Sequence, residues 1–127
     1  MTQKPHFNAG QNIAMKVPPQ QYQETVRFYG EILGLEKIEP LSPATVFRFG
    51  DKQLWIDRVE GLSSTEVWLE IVTDHMDAAA KWLAKHNVER CDDIEQLPDG
   101  LNAFWVTSPA AVIHLINETV PSDIPES

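Results

Sequence analysis

Two stretches of the chain show the same succession of hydrophobic patterns. In each, an alternating pattern is followed by one in which apolar residues recur every three or four positions. Over residues 12–17 apolar and other side chains alternate, which predicts a β-strand. Over residues 22–33 apolar side chains recur every three or four positions, which predicts an amphipathic helix that ends at Gly34. The same order returns as a predicted strand over residues 67–73 and a predicted helix over residues 76–86.

Short apolar segments follow each predicted helix, separated by Gly, Pro and Asp residues that favour turns. The chain therefore predicts an α+β fold of two β-α-β-β-β units, about 12–58 and 66–117, forming curved mixed sheets with the helices on one face. Together they make one domain over residues 12–117. Residues 1–11 are predicted to be a mobile lead-in, and residues 118–127 a disordered acidic tail.

Composition and charge narrow the possible partners. The 127 residues carry a formal net charge of −9 and no basic stripe, which argues against nucleic acid and favours a neutral or cationic small molecule. No apolar run approaches the ~20 residues of a membrane helix, and the opening residues lack a secretory pattern, so a cytoplasmic protein without membrane contact is predicted. Cys91 is the only cysteine, beside Asp92 and Asp93, which favours a structural, unreactive thiol.

Several short motifs resemble the vicinal oxygen chelate superfamily, which includes glyoxalase I, extradiol dioxygenases, fosfomycin-resistance enzymes and bleomycin-binding proteins. The most specific are Phe28-Tyr29 with Leu33-Gly34-Leu35, the helix start at residues 76–80, and the final hairpin at residues 104–115. The likeness spans about residues 10–117 and implies a glyoxalase-like fold. It also implies a homodimer.

The resemblance further implies four positions where metal-dependent members hold His, Gln or Glu. In this chain they correspond to Asn12, Trp55, Trp68 and His114. An indole has no lone pair for a metal, and an amide oxygen is a poor ligand for zinc, nickel or iron. One histidine does not make a site, so neither a metal nor another cofactor is predicted.

The remaining candidates have alternative roles. Trp55 and Trp68 either sandwich a flat or cationic ligand or simply fill a cleft. Glu70 and His114 are the candidate catalytic pair, as base and acid, unless they form a plain cross-strand pair. Lys16 and Arg48 are candidates to hold a carboxylate. The full predicted ligand-binding set is Asn12, Lys16, Arg48, Trp55, Asp57, Trp68, Glu70 and His114.

Three functions fit these residues. The first is a metal-free protein that binds a small organic molecule, in a resistance or sequestering role like that of the bleomycin-binding members. The second is a lyase, isomerase or dioxygenase that uses a divalent metal held by His114, Glu70 and Asp57. The third is a non-catalytic interaction subunit, in which Trp55 and Trp68 close the cleft.

Overall fold

The computed structural model describes residues 4–118 of the chain. In order, its elements are β1 (Phe7–Val17), α1 (Pro19–Arg27), a π-helix (Phe28–Ile32), a 3₁₀-helix (Glu39–Leu41), β2 (Thr45–Phe49), β3 (Lys52–Arg58), β4 (Glu66–Thr73), α2 (Met76–Lys85), β5 (Glu89–Arg90), β6 (Ala103–Thr107) and β7 (Ile113–Glu118). The predicted α+β class, with two helices among mixed strands, is confirmed.

The described residues divide into two compact units. The first unit holds residues 11–68, with its strands in the order β2-β3-β1, where β1 and β3 are parallel and β2 and β3 antiparallel. The second unit holds residues 4–10 and 69–118, with its strands in the order β4-β7-β6-β5. There β4 and β7 are parallel and the other two pairings are antiparallel.

The core of the first unit lies between α1 and one face of its strands. Pro18 precedes α1 with an extended backbone and Pro19 occupies its first turn, where a missing N–H costs nothing. The helix then packs onto a cluster of buried side chains from the strands, and Gly34, with φ of +73°, reverses the chain after the π-helix. The buried cluster comprises Val17, Phe47, Leu54 and Ile56.

The core of the second unit repeats this arrangement with α2. The periodic apolar residues of α2, among them Met76 and Ala79, are buried against the strands. Ile71 of β4 and Leu83 of α2 border the same cluster. The cluster itself comprises Met76, Phe104, Val106 and Ile116.

The first strand begins earlier than the hydrophobic pattern indicates. Residues 7–11, which the sequence assigns to a mobile lead-in, belong to β1. They are fixed by contacts remote in sequence: the buried Thr73 hydroxyl donates to the His6 carbonyl at 2.9 Å, and the His6 backbone N–H donates to Asp74 Oδ1 at 3.0 Å. Glu118 lies in β7, while the rest of the predicted acidic tail falls outside the described residues.

The contact between His6 and Asp74 makes stability depend on pH. His6 Nδ1 lies 3.0 Å from Asp74 Oδ2, and this hydrogen bond, with that from the His6 backbone, lowers the pKa of Asp74 below its ordinary 3.8. The stabilisation is therefore present above about pH 4 and is lost as the pH falls through the lowered pKa. A His6→Ala variant should be less stable than the parent protein above that pH, and the difference should shrink in stronger acid.

Urea unfolding of both proteins over a pH series measures this difference. His86→Ala, which changes a histidine at the end of α2, should show no such pH-dependent difference. A His6→Ala difference that stays constant into strong acid would contradict the role given to Asp74.

Among the described residues, no helix is long and apolar enough to cross a membrane.

Candidate functional site

The face of the first unit that α1 does not cover carries most of the predicted ligand-binding residues. Ile13, Met15 and Val17 of β1 pack toward α1, so alternate residues point the other way. The registers of β1 with β3 and of β2 with β3 then place the facing residues side by side. This helix-free face of the first unit comprises Asn12, Ala14, Lys16, Val46, Arg48, Gln53, Trp55 and Asp57.

Trp55 lies at the centre of this face and is held in place by Asn12. The indole Nε1–H donates to Asn12 Oδ1 at 2.7 Å. Ala14 and Val46 are the cross-strand partners of Trp55 on its two sides. Directly across from Trp55 on β1, Ala14 presents only a methyl group to the partly buried indole. This placement of Ala14 follows from strand register, and only knowledge of the β1–β3 pairing could have revealed it.

Lys16 is buried on the same face and binds Asp57. Its Nζ lies 2.8 Å from Asp57 Oδ2, and its side chain is 6% exposed against 33% for Asp57. The same ammonium lies 4.3 Å from the centroid of the Trp68 ring, a cation–π distance. Trp68 is itself buried, with its Nε1–H donating to Glu66 Oε1 at 3.0 Å. The ring predicted to bind a cationic ligand thus already contacts a cation of this chain.

Arg48 shares the helix-free face but lies away from Lys16. It is paired with Gln53, whereas Lys16 is paired with Asp57, and the Trp55 row separates the two. The Arg48 guanidinium is exposed, with its Nε 3.5 Å from Glu36 Oε1. The structure therefore does not bring Lys16 and Arg48 together as the predicted clamp for one carboxylate.

In the second unit, Glu70 and His114 lie on opposite faces of the strands. Ile71 borders the core under α2, so Glu70 points to the other face, where Asn117 Nδ2 donates to its Oε2 at 3.3 Å. His114 pairs with Val106, a core residue, and therefore points to the α2 side. The catalytic pair predicted from the sequence is not formed, because Glu70 lies on the face away from α2 and His114 lies on the face toward it.

The directions in which these side chains point also change which residue of the second unit corresponds to Trp55 of the first. In the first unit, Leu54 and Ile56 of the last strand face the helix, so Trp55 faces away. In the second unit, Ile116 faces the helix together with His114, so Leu115 takes the position equivalent to Trp55. His114 instead directs its Nδ1 to the Val112 carbonyl oxygen at 3.0 Å, which fixes the proton on Nδ1.

Four positions of this chain correspond to the metal ligands of the metal-dependent enzymes that it resembles, and their side chains do not fit a metal ion. They are Asn12, Trp55, Trp68 and, after the correction, Leu115. The only oxygen among these side chains, Asn12 Oδ1, already accepts the Trp55 indole, and neither indole nor isobutyl groups coordinate metals. Within residues 4–118, no group of three His, Cys, Asp or Glu side chains is placed to hold a metal.

Cys91 has the properties expected of an unreactive thiol. Burial raises its pKa above the ordinary value, and the neighbouring charges of Asp92 and Glu89 raise it further. Of the two aspartates next to Cys91 in the sequence, Asp92 raises the pKa of the thiol, as expected. Asp92 also accepts a hydrogen bond from the Trp105 backbone at 3.0 Å, so its place in the fold is structural.

Comparisons with known proteins support the fold. No family model and no curated protein matches the chain in sequence. Among solved structures, the Mn(II)-bound glyoxalase from Novosphingobium aromaticivorans has a TM-score of 0.65 at 13% identity, covering 91% of this chain and 40% of that one. A hypothetical protein from Bacillus halodurans has a TM-score of 0.62 at 12% identity, covering 95% and 99%.

A third similar structure is homoprotocatechuate 2,3-dioxygenase from Brevibacterium fuscum, in complex with 3,4-dihydroxyphenylacetate. Its TM-score is 0.60 at 15% identity, with 94% of this chain and 39% of that chain covered. This chain thus spans about two fifths of the length of the glyoxalase and of the dioxygenase. Both of those enzymes are members of the vicinal oxygen chelate superfamily. The chain therefore shares the glyoxalase-like fold of these structures.

Proposed function

We propose that this protein binds a small planar organic molecule against Trp55, on the helix-free face of its first unit, without a metal ion. The observation that carries the proposal is the fixed, partly buried indole beside the methyl group of Ala14. An aromatic ring whose orientation is set by a 2.7 Å hydrogen bond offers a preorganised stacking surface. Gln53 and Asp57 flank this ring and supply polar groups that can orient a ligand.

The charges favour a neutral or cationic ligand over an anion. Asp57, which is one third exposed, lies two residues from Trp55 on the same face. The chain as a whole carries a net charge of −9, which raises the local concentration of small cations. The proposed role is sequestration of such a molecule, like that of the bleomycin-binding proteins. A homodimer and a cytoplasmic location remain predictions that belong to this proposal.

Ethidium, a planar aromatic cation, is a suitable probe for the Trp55 surface. A Trp55→Leu variant should bind ethidium at least about tenfold more weakly, because stacking and cation–π contact together supply more than 1 kcal/mol. Isothermal titration calorimetry at about 0.15 M salt measures this while screening long-range attraction. Trp82→Leu, which removes a partly exposed indole of α2 in the second unit, is the matched control and should bind normally.

Two results would contradict the proposal. One is unchanged ethidium affinity in Trp55→Leu, which is the result expected of an interaction subunit whose Trp55 only fills space. The other is loss of binding after treatment with a chelator. The alternative, a divalent-metal lyase, isomerase or dioxygenase, is favoured by the Mn(II) in the similar glyoxalase structure. It requires stoichiometric metal in the purified protein.

A further inference from the structure

A second depression lies on the opposite, helix-covered side of the first unit, between α1 and β2. It encloses about 550 Å³, within the roughly 300–1,000 Å³ typical of small-molecule sites. Its apolar walls are formed by Val26 of α1, by Leu35 in the segment after the π-helix, and by Phe47 of β2. Phe47 also belongs to the buried core of the unit. This α1–β2 groove shares no side chain with the Trp55 surface.

The backbone of the π-helix brings the groove close to Phe47. The Leu33 N–H donates to the Phe28 carbonyl at 2.9 Å, the wide turn of a π-helix, a feature frequent at functional sites. Gly30 lies in this turn and lines the groove. A Cβ on Gly30 would meet the Phe47 ring at 3.2 Å, so the absence of a side chain allows the turn to approach the ring. The apolar floor of the groove therefore depends on glycine here.

Two hydroxyl groups lie together in the wall of the groove. Tyr22 Oη and Thr45 Oγ1 are 2.8 Å apart, and either can donate to the other. Each hydroxyl carries one hydrogen, so the bond between them uses one and leaves the second for another acceptor. An oxygen acceptor on a bound molecule would satisfy it.

The groove lining carries two cationic side chains, Arg27 and Lys37, and two carboxylates, Glu24 and Glu31. Arg27 has its Nε 3.3 Å from Glu31 Oε2. Within residues 4–118, no carboxylate lies within ion-pair distance of Lys37, which is exposed at the mouth. Glu24 also borders the groove, but it equally borders a depression on the other side of α1 with Met15 and Phe28.

From these contacts we infer that the α1–β2 groove is a second binding site, for a small molecule with an apolar body and a carboxylate head. The body packs on Val26, Leu35 and Phe47. The head accepts the spare hydroxyl hydrogen of the Tyr22–Thr45 pair and binds the Lys37 ammonium. The ligand class differs from that proposed for Trp55, and the two sites stand or fall separately.

Two probes that differ only in the head test this inference: 4-phenylbutyrate and 4-phenylbutanol. Adding either to ¹⁵N-labelled protein should shift the amide signals of Gly30, Leu35 and Lys37. Lys37→Gln should weaken 4-phenylbutyrate binding about fivefold and leave 4-phenylbutanol unchanged, since only the carboxylate loses an ion pair. A Tyr22→Phe/Thr45→Val double variant should weaken both probes about threefold, because it removes both hydroxyl donors and both heads accept a hydrogen bond.

Two variants with intact grooves serve as controls. Lys52→Gln removes a lysine of β3 outside the groove, and Trp55→Leu removes the proposed ethidium surface; both should bind 4-phenylbutyrate normally. The inference is overturned if the groove amides do not shift, or if Lys37→Gln weakens both probes equally. It is also overturned if Trp55→Leu abolishes 4-phenylbutyrate binding, which would place the probe on the other face.

Discussion

Replacing Asp57 by asparagine is expected to lower the free energy of unfolding by about 3 kcal/mol, the low end for breaking a buried ion pair. The variant leaves the Lys16 ammonium, on a side chain 6% exposed, without the carboxylate that lies 2.8 Å away. The loss stays at the low end for two reasons. Asp57 is one third exposed, so water already screens it, and Lys16 keeps its contact with the Trp68 ring.

Urea unfolding of two further variants separates this pair from ordinary surface charges. Glu36→Gln removes the partner of Arg48, an exposed pair, and should cost less than about 1 kcal/mol. Lys16→Met keeps an apolar stem of similar length and should cost less than Asp57→Asn, because the carboxylate left behind still reaches water. If Asp57→Asn costs no more than Glu36→Gln, Lys16 is solvated and its pairing does not stabilise the fold.

The order of helices and strands could be predicted because the apolar side chains that each element buries recur at regular spacing within a short stretch of sequence. Tyr22, Val26 and Tyr29 recur at helical spacing, and all three border the core of the first unit. The start of β1 could not be predicted in this way. Asn8, Gly10 and Gln11 break the alternation, and that segment is fixed by the second unit's Asp74, far along the chain.

The candidate site was less predictable than the fold because it depends on register. Asn12 and Trp55 are 43 residues apart, and Lys16 and Asp57 are 41 apart, yet the parallel pairing of β1 with β3 joins both pairs. The sequence also does not show which side chains of β7 face α2, because Ile113 and Leu115 flank His114 with apolar side chains on both sides.

Placing a methyl group on Gly10 is expected to lower the free energy of unfolding by about 2 kcal/mol, within the range for overpacking. Gly10 is buried in the part of β1 that belongs to the second unit. A Cβ there would lie 2.5 Å from Glu70 Cγ and 2.7 Å from its Cδ, so the Glu70 side chain must move. That movement also breaks the 3.3 Å hydrogen bond from Asn117 to Glu70 Oε2.

A double-mutant cycle shows whether this cost comes from Glu70. The backbone of Gly10 is outside the left-handed region, so alanine is tolerated there once the obstructing side chain is removed. In a Glu70→Ala background, Gly10→Ala should therefore be neutral or stabilising by about 0.5 kcal/mol, because alanine loses less backbone freedom than glycine on folding. Urea unfolding of the four proteins gives the coupling energy. A Gly10→Ala cost that is the same in both backgrounds would show that Glu70 does not occupy the space beside Gly10.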